Sequence, residues 1–392
     1  MRRVLLVTGA VVFFNSSLPT ALAPLLPRLA DEFSLSEGQS GLLTAAFGAG
    51  IVVGTIPALV LASRLGVKPS VLLGLGLMIA SSVGFAFAST APALELSRLT
   101  QGISVAVAWP SATAWLVGFG SPERRGELIG ITARASIAGA VLGPVLGAIA
   151  TVLGRALTFS ILATAGVAVA IWAFRAPSLP LRTRRHPRVL LGALRQPGVG
   201  GGLWLGFVTA LFLGVLIVLA PLDLHRFGWS PVGISVVFLV STAVLAAASP
   251  PIGRWFDRRG PTPPIRAGLL TAAGAFVVFP LAEAHWTTAA FVLAGLVAYG
   301  FCWISAVALL GAGAEQVGAD YALAFAVVNL TWAVGQFFGA TLSGALAGTM
   351  GDLVPCVAVG AICLLTLALT RGWFRGVASE EELTTGSKAA SK

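Results

Sequence analysis

The sequence predicts an all-α membrane protein with twelve transmembrane helices in two pseudo-symmetric six-helix bundles. Three observations predict this fold class: the composition, the number of long apolar runs, and a sequence repeat between the two halves. Of the 392 residues, 57% are hydrophobic and only 10% are charged, whereas about 25% of the residues of a typical soluble domain are charged. The composition therefore excludes an ordinary soluble enzyme or nucleic-acid-binding protein.

A helix needs about 20 apolar residues to cross the hydrocarbon core of a bilayer, and the sequence contains twelve such runs. The first six cover residues 4–29, 39–62, 69–90, 93–118, 127–152 and 156–174. The second six cover residues 200–223, 231–253, 264–284, 287–312, 321–348 and 353–373. The first run is too long for the apolar core of a signal peptide and lacks a small-residue cleavage site, so we expect it to be retained as a helix.

One longer polar stretch, rich in arginine and proline, separates the two sets of runs. We therefore expect an N-terminal six-helix bundle over 1–175, a cytoplasmic linker over 176–199, a C-terminal six-helix bundle over 200–374 and a disordered cytoplasmic tail over 375–392. The three cysteines all lie in apolar runs, a placement that indicates neither a disulfide framework nor a metal site.

Arginine and lysine are concentrated in alternate loops. If the N-terminus is cytoplasmic, the outer loops hold only Arg28, Arg155 and Arg226. Cytoplasmic loops of membrane proteins are enriched in Lys and Arg, so we predict a multi-pass protein of the cell (inner) membrane with both termini in the cytoplasm. The net charge of +10 is then a topology signal that faces anionic lipid, and the expected partner is the lipid bilayer, not nucleic acid.

The loop after the second span of each half carries the same pattern. Residues 57–69 read PALVLASRLGVKP and residues 251–263 read PIGRWFDRRGPTP. One constant offset pairs Pro57 with Pro251, Arg64 with Arg258, Gly66 with Gly260, Pro69 with Pro263 and Gly74 with Gly268. A second echo aligns Gly139 and Gly143 of the fifth span with Gly335 and Gly339 of the eleventh. Parallel six-helix repeats are typical of transporters that rock two halves around a central site.

The second-half loop, GRWFDRRG from Gly253 to Gly260, resembles the G-x-L-A-D-R-x-G-R/K motif of the major facilitator superfamily, and the resemblance covers nearly the whole chain. It implies that the loop pins the cytoplasmic ends of neighbouring helices. Asp257, which precedes Arg258, would accept hydrogen bonds at a helix N-terminus, where the dipole favours negative charge. A topology signal alone is the alternative role for the arginines of this loop.

The first-half loop departs from that motif. Arg64, Gly66 and Lys68 are retained, but Ser63 replaces the aspartate. A serine can still cap a helix, although it cannot supply the negative charge of the family's latch.

The fifth span is rich in small residues. Gly139, Gly143 and Gly147 share one helix face, which allows close backbone approach, and Pro144 allows a bend. The full spacing resembles the antiporter motif G-x8-G-x3-G-P-x2-G-G of drug:proton antiporters, with matches at Gly130, Gly139, Gly143, Pro144 and Gly147 and a departure at Ala148. The resemblance implies proton-driven export, whereas generic helix packing is the alternative reading of the glycine spacing alone.

The fourth span carries ionisable residues, which are expensive within a membrane and mark function by default. Arg98-Thr-Leu-Gln101-Gly102 resembles the superfamily's R-x-x-Q-G motif, whose arginine is implied to influence proton movement. Glu95 lies three residues before Arg98, so an ion pair is possible. We therefore name Arg98 and Glu95 as proton-coupling candidates, with an interfacial helix-start acid as the alternative for Glu95.

A central cavity is expected to be mostly apolar with a few placed polar groups. The first span offers Asn15 beside two phenylalanines, and offers no carboxylate before Asp31, so a neutral or anionic substrate fits better than a cation. Arg134 either faces the cavity or snorkels to the interface. The tenth and eleventh spans, which line the cavity in this family, add Tyr299, Trp303, Asn329, Trp332 and Gln336.

These features predict a secondary transporter that exports small amphipathic molecules, such as drugs or metabolites, against a flow of protons by alternating access. The alternative is an uptake permease or facilitator of the same fold. The histidines lie in loops or at helix ends, and no catalytic constellation at membrane depth supports an enzyme. We expect a monomer without cofactor or metal, whose partners are a small-molecule substrate, protons and the bilayer.

Overall fold

The computed structural model describes residues 1–120, 125–179, 197–281, 284–316 and 321–373, and every regular element in these ranges is helical. In the first half the helices are α1 (Arg2–Thr20), α2 (Leu22–Phe33), α3 (Glu37–Leu65), α4 (Val67–Phe87), α5 (Ala91–Gly118), α6 (Arg125–Leu153) and α7 (Arg155–Phe174). In the second half they are α8 (Pro197–Arg226), α9 (Pro231–Arg259), α10 (Thr262–Val278), α11 (His285–Gln316), α12 (Tyr321–Met350) and α13 (Leu353–Trp373). A short 3₁₀ turn over Phe279–Leu281 follows α10.

The helices follow the predicted spans, with one correction in the first span. We expected a single helix there, but the chain forms α1 and α2, which meet at Ala21. Proline is the physical reason, because Pro19, Pro24 and Pro27 each lack the N–H that an uninterrupted helix requires. From the second span onward, each span corresponds to one helix.

Within the described ranges, nine helices are long and apolar enough to cross a membrane. Helices α5 and α12 are also long enough to cross a bilayer, and they carry polar residues, Arg98 and Gln101 in α5 and Asn329 and Gln336 in α12. The thirteenth helix is 21 residues long, and it is apolar over Leu353–Leu369, where its side chains are described.

Each half packs around its own apolar core. Phe85 and Trp115 are fully buried in the first half, and Phe212 and Phe276 are fully buried in the second. In a bilayer, helices associate by close packing rather than by exclusion of water. The structure accordingly relies on glycines at several helix crossings.

The two halves repeat each other in three dimensions. In the first half Gly74 of α4 packs against Ala108 of α5, and in the second half Gly268 of α10 packs against Cys302 of α11. Ala108 and Cys302 are related by the same offset that relates Gly74 to Gly268. The pseudo-symmetry of the fold class is confirmed, while the segment boundaries at 175, 199 and 374 stay predictions; most of the linker and the whole tail lie outside the described residues.

The halves meet at several helix pairs. Helix α3 packs on α12, α6 packs on α9, and α2 packs on α8 and α9. Gly41 of α3 and Gly344 of α12 pass so closely that a side chain at either position would meet the backbone of the other helix. We call this crossing the α3–α12 seam.

Candidate functional site

The glycine face of α6 packs against the first span. A side chain at Gly139 would meet the backbone of Phe13, and one at Gly143 would meet Ser17 and Thr20. Gly147 lies against Ala21 and Pro24. The equivalent glycines of α12, Gly335 and Gly339, pack on α8 in the second half. The resembled antiporter motif therefore coincides with a close helix contact at the break between α1 and α2.

Not every position of that motif is tightly packed. A side chain at Gly130 would meet no atom within 4 Å, whereas Pro144 is buried within α6. A hydrogen bond of 2.9 Å joins the hydroxyls of Ser16 in α1 and Ser136 in α6. The contact between these helices thus combines close backbone approach with a polar bond across the crossing.

Arg98 lies in the packed centre of the first half, with only 3% of its surface exposed. Its Nη1 donates to Gln101 Oε1 at 2.8 Å and to the carbonyl of Leu18 at 3.4 Å. The guanidinium lies over the ring of Phe47, 4.9 Å from the ring centroid, in a favourable cation–π arrangement. Arg98 Nε is buried and has no hydrogen-bond partner among the described residues.

The ion pair that the spacing of Glu95 and Arg98 allows is not formed. The buried face of α5 runs through Leu94, Arg98 and Gln101, and Glu95 lies half-buried at its edge. Arg98 turns instead toward α1 and α3, so within the described ranges no carboxylate forms an ion pair with it. Proton-coupling roles for Arg98 and Glu95 stay predictions.

Gln336 joins the two halves. Its Nε2 donates to the carbonyl of Thr44 in α3 at 3.4 Å, and its Oε1, buried against Gly48, has no partner among the described residues. Asn15 in α1 is also buried, and neither atom of its amide is hydrogen-bonded within the described part of the chain. Two amides with spare hydrogen-bonding capacity therefore lie in the interior, as a substrate site requires.

The aromatic candidates pack together in the second half. The rings of Tyr299 and Trp303 are stacked, with centroids 5.9 Å apart. Trp332 packs against Phe47 of the first half and against the core of its own half. Asn329 lines an apolar cleft of about 80 Å³ between α3, α4, α5 and α12. Trp332 and Asn329 thus lie beside residues of the first half, whereas Trp303 packs against Val199, Leu310 and Val328 of its own half.

Arg134 is separate from this group. Its side chain lies on the exposed face of α6 that also carries Ile137 and Leu142. This exposure fits both snorkelling to the interface and facing the cavity, so both alternatives remain.

The repeated loops keep their backbone geometry, but no latch contact forms among the described residues. Gly66 and Gly260 both have positive φ, +92° and +73°, where they end α3 and α9; this conformation favours glycine. Arg64, Asp257 and Arg258 are exposed, and none of their side chains bonds to another described residue. A side chain at Gly253 would meet no atom within 4 Å. Asp257 therefore caps no helix N-terminus in the described ranges, and residues 317–320, which precede α12, lie outside them.

Sequence reasoning placed Lys68 in the retained part of the first-half loop motif but predicted no partner for it. Its Nζ donates to the carbonyls of Phe174 at 2.8 Å and Ala176 at 2.6 Å. A cation at this position neutralises the negative end of α7 and satisfies carbonyls that have no helical partner.

A charged rim between the halves was also missed. Arg226 of α8 forms ion pairs with Glu37 of α3 and, at 3.1 Å, with Asp352; His225 Nε2 lies 3.1 Å from Asp31 Oδ2. We call Asp31, Glu37, His225, Arg226 and Asp352 the rim. Its members are far apart in sequence, and the only available signal was the scarcity of arginine in these loops.

Comparisons with known proteins agree with this architecture. The family model described as Major Facilitator Superfamily matches residues 5–325 and, in an overlapping second match, residues 202–392. A chloramphenicol resistance protein of Streptomyces lividans is 31% identical over 360 residues, which are 88% of this chain and 90% of that protein.

Solved structures share the fold. A bacterial homolog of the human lysosomal transporter Spinster, in an inward-facing and occupied conformation, superimposes with a TM-score of 0.75 at 18% identity, covering 95% of this chain and 96% of the other. The xylose transporter XylE from E. coli, in a partially occluded inward-open conformation, gives 0.73 at 16% identity, covering 93% and 97%. The chain therefore belongs to the major facilitator superfamily, and it is a multi-pass membrane transporter of small molecules, not an enzyme.

Proposed function

We propose that the chain is a proton-coupled exporter of small amphipathic molecules that works by alternating access. The observation that carries this proposal is the contact of the α6 glycine face with the break between α1 and α2. That face carries the spacing of the antiporter motif, and Pro144, which allows a bend in α6, lies beside the junction of α1 and α2, a place where the halves can seal and reopen. The similarity to a chloramphenicol resistance protein also supports export.

The polarity of the interior supports a neutral or anionic substrate. Arg98 is a buried cation with no carboxylate paired to it among the described residues, and the nearby groups are amides and aromatic rings. A cationic substrate would have to overcome this positive charge in a medium of low dielectric constant. Chloramphenicol is therefore a suitable first probe, and Asn15, Tyr299, Trp303, Asn329, Trp332 and Gln336 are the proposed cavity residues.

One observation favours the alternative of a facilitator. The first span carries Asn15, not a carboxylate, at its buried polar position, so it offers no group there that exchanges a proton near neutral pH. Proton coupling would then rest on Glu95 or on a group that the substrate itself brings.

The proposal is tested in proteoliposomes with an imposed pH gradient and a pH-sensitive dye inside. We expect radiolabelled chloramphenicol to accumulate against its gradient and to move protons in proportion. Liposomes without protein and liposomes with a collapsed gradient are the controls. Chloramphenicol movement without any proton flux would replace the antiporter with the facilitator, and absence of transport in every gradient would remove this substrate class.

Export also requires the predicted orientation, in which both termini and the linker face the cytoplasm and the rim faces outward. Labelling of single cysteines at Ser34 and Arg175 by a membrane-impermeant reagent tests this orientation. We expect intact cells to label Ser34→Cys and to leave Arg175→Cys unlabelled until the membrane is permeabilised.

A further inference from the structure

The rim connects the halves through one arginine with two partners. Arg226 belongs to the second half and reaches Glu37 of the first half with Nη2. With Nη1 it donates to Asp352 Oδ2 at 3.1 Å, and Asp352 belongs to its own half. The guanidinium fork is suited to holding two carboxylates at the same time.

These groups are only partly solvated. The side chain of Arg226 is 48% exposed, but those of Glu37 and Asp352 are only 24% and 21% exposed. Glu37 Oε2 is fully buried and has no partner within the described part of the chain. The pair of Arg226 and Glu37 therefore lies between a surface ion pair and a buried one, and it is screened less than a fully exposed pair.

The rim closes one end of the α3–α12 seam. Glu37 is the first residue of α3, and Gly344 and Gly348 of α12 pass beside its backbone and side chain. One helical turn further along, Gly41 packs against Gly344. Separating the halves at this end requires the bond between Arg226 and Glu37 to break, but leaves the bond between Arg226 and Asp352 intact.

We propose that Arg226 is a gate residue that exchanges partners during alternating access. With the rim closed, it holds Glu37 across the seam and shares its charge with Asp352. With the rim open, Asp352 is its one remaining carboxylate, so the guanidinium stays paired and opening costs less. The inference rests on membership in the transporter family, and is independent of export direction and proton coupling.

Partner exchange has a consequence that a simple ion-pair lock lacks. Glu37 binds Arg226 only in the closed form, so Glu37→Gln must favour the open form. Asp352 shares the guanidinium with Glu37 in the closed form and is the carboxylate that stays bound to it in the open form. Asp352→Asn must therefore favour the closed form. Glu37→Gln and Asp352→Asn each remove one carboxylate partner of Arg226, yet they shift the equilibrium between the open and closed forms in opposite directions.

The experiment measures the distance between spin labels on the full chain in lipid nanodiscs. Labels at Ser34 and Val232, which are exposed on opposite sides of the rim, report closed and open forms as short and long distances. The native cysteines are buried, which favours labelling at the introduced positions.

We expect Glu37→Gln to raise the open-to-closed ratio by about 1.5- to 5-fold, the range that a partly exposed ion pair supplies. We expect Asp352→Asn to lower it by a similar factor. Arg226→Gln should open the rim at least as far as Glu37→Gln, because Glu37 and Asp352 then face each other without a cation. Arg226→Gln also tests the closed-form bond independently if Glu37→Gln folds poorly.

Glu32→Gln is the matched control. Glu32 pairs with Arg155 at 3.2 Å within the first half, so its loss should leave the distance distribution unchanged. A shift in the same direction for Glu37→Gln and Asp352→Asn overturns partner exchange. An unchanged distribution in Arg226→Gln overturns any role of Arg226 in the gate, whatever the outcome of the transport assay.

Discussion

Arg98 carries a charge into the packed centre of the first half, where an unpaired ion costs several kcal/mol. Gln101 and the Leu18 carbonyl each accept one hydrogen bond from it, and the Phe47 ring covers its face. These neutral contacts offset the cost only in part, and Nε remains unpartnered among the described residues. A side chain that costs stability without full compensation indicates a role in transport rather than in folding.

Arg98→Met separates these two roles. Methionine retains an unbranched apolar stem and removes the buried charge, so we expect the free energy of unfolding to stay unchanged or to rise by about 1–4 kcal/mol. Transport in proteoliposomes should fall at least about tenfold, equivalent to 1.4 kcal/mol. Thr100→Ala is the control, because Thr100 lies on the same helix and bonds only to the Leu96 carbonyl of that helix. If the melting temperature of Arg98→Met falls together with its transport activity, Arg98 is a structural residue instead.

At the scale of single residues, the sequence identifies which residues stand out better than it predicts which residues they contact. The rarity of charge within spans identifies Arg98, and the polar spots identify Gln336 and Asn15. The bond from Gln336 to Thr44 and the bond from Arg226 to Glu37 join residues of opposite halves. Spacing arguments apply along one helix, so they yielded the pair of Glu95 and Arg98, which the structure lacks, and missed the bonds between halves.

The elements are held together by glycines at helix crossings, and α6 shows how strongly position matters. An added methyl group at Gly143 would meet the hydroxyl of Thr20 and the carbonyl of Ser17. The same group at the exposed Gly76 of α4 would meet no atom within 4 Å. Both changes raise helix propensity equally, so a difference between them reports packing alone.

We therefore expect Gly143→Ala to lower the free energy of unfolding by about 1–3 kcal/mol, the usual cost of overpacking. Gly76→Ala should be neutral or stabilising by up to about 1 kcal/mol. Thermal unfolding in nanodiscs measures stability, and transport measures whether the α6 contact must also move. Equal effects of the two changes on stability would mean that close packing at the glycine face of α6 does not stabilise the protein.

The sequence predicts the elements well, because twenty-residue apolar runs have few alternatives in a bilayer. It does not predict the break at Ala21, since prolines within a membrane helix are tolerated as often as they divide it. The repeat predicts which helices correspond, and Gly74 and Gly268 occupy equivalent crossings as expected. It cannot predict how the halves are placed, because that depends on contacts such as the α3–α12 seam, which have no counterpart within one half.

The molecule as a whole consists of two halves whose internal crossings and shared seam use the same glycine chemistry. Gly102 packs against Gly50 within the first half, whereas Gly344 packs against Gly41 across the seam. If the halves are rigid bodies that separate during transport, bulk added at these two places must have different consequences. A larger side chain inside one half stays overpacked in both the closed and the open form. A larger side chain in the seam gains space when the halves separate.

Gly344→Leu and Gly102→Leu test this distinction in one pair of measurements. We expect Gly344→Leu to shift the labels at Ser34 and Val232 to the long distance while the melting temperature changes little, because the open form removes the clash. We expect Gly102→Leu to keep the short distance and to lower the free energy of unfolding by about 3 kcal/mol or less, since overpacking inside a half is not relieved by opening. If Gly344→Leu unfolds the protein as readily as Gly102→Leu, the α3–α12 seam is a permanent core contact, and alternating access must use another boundary.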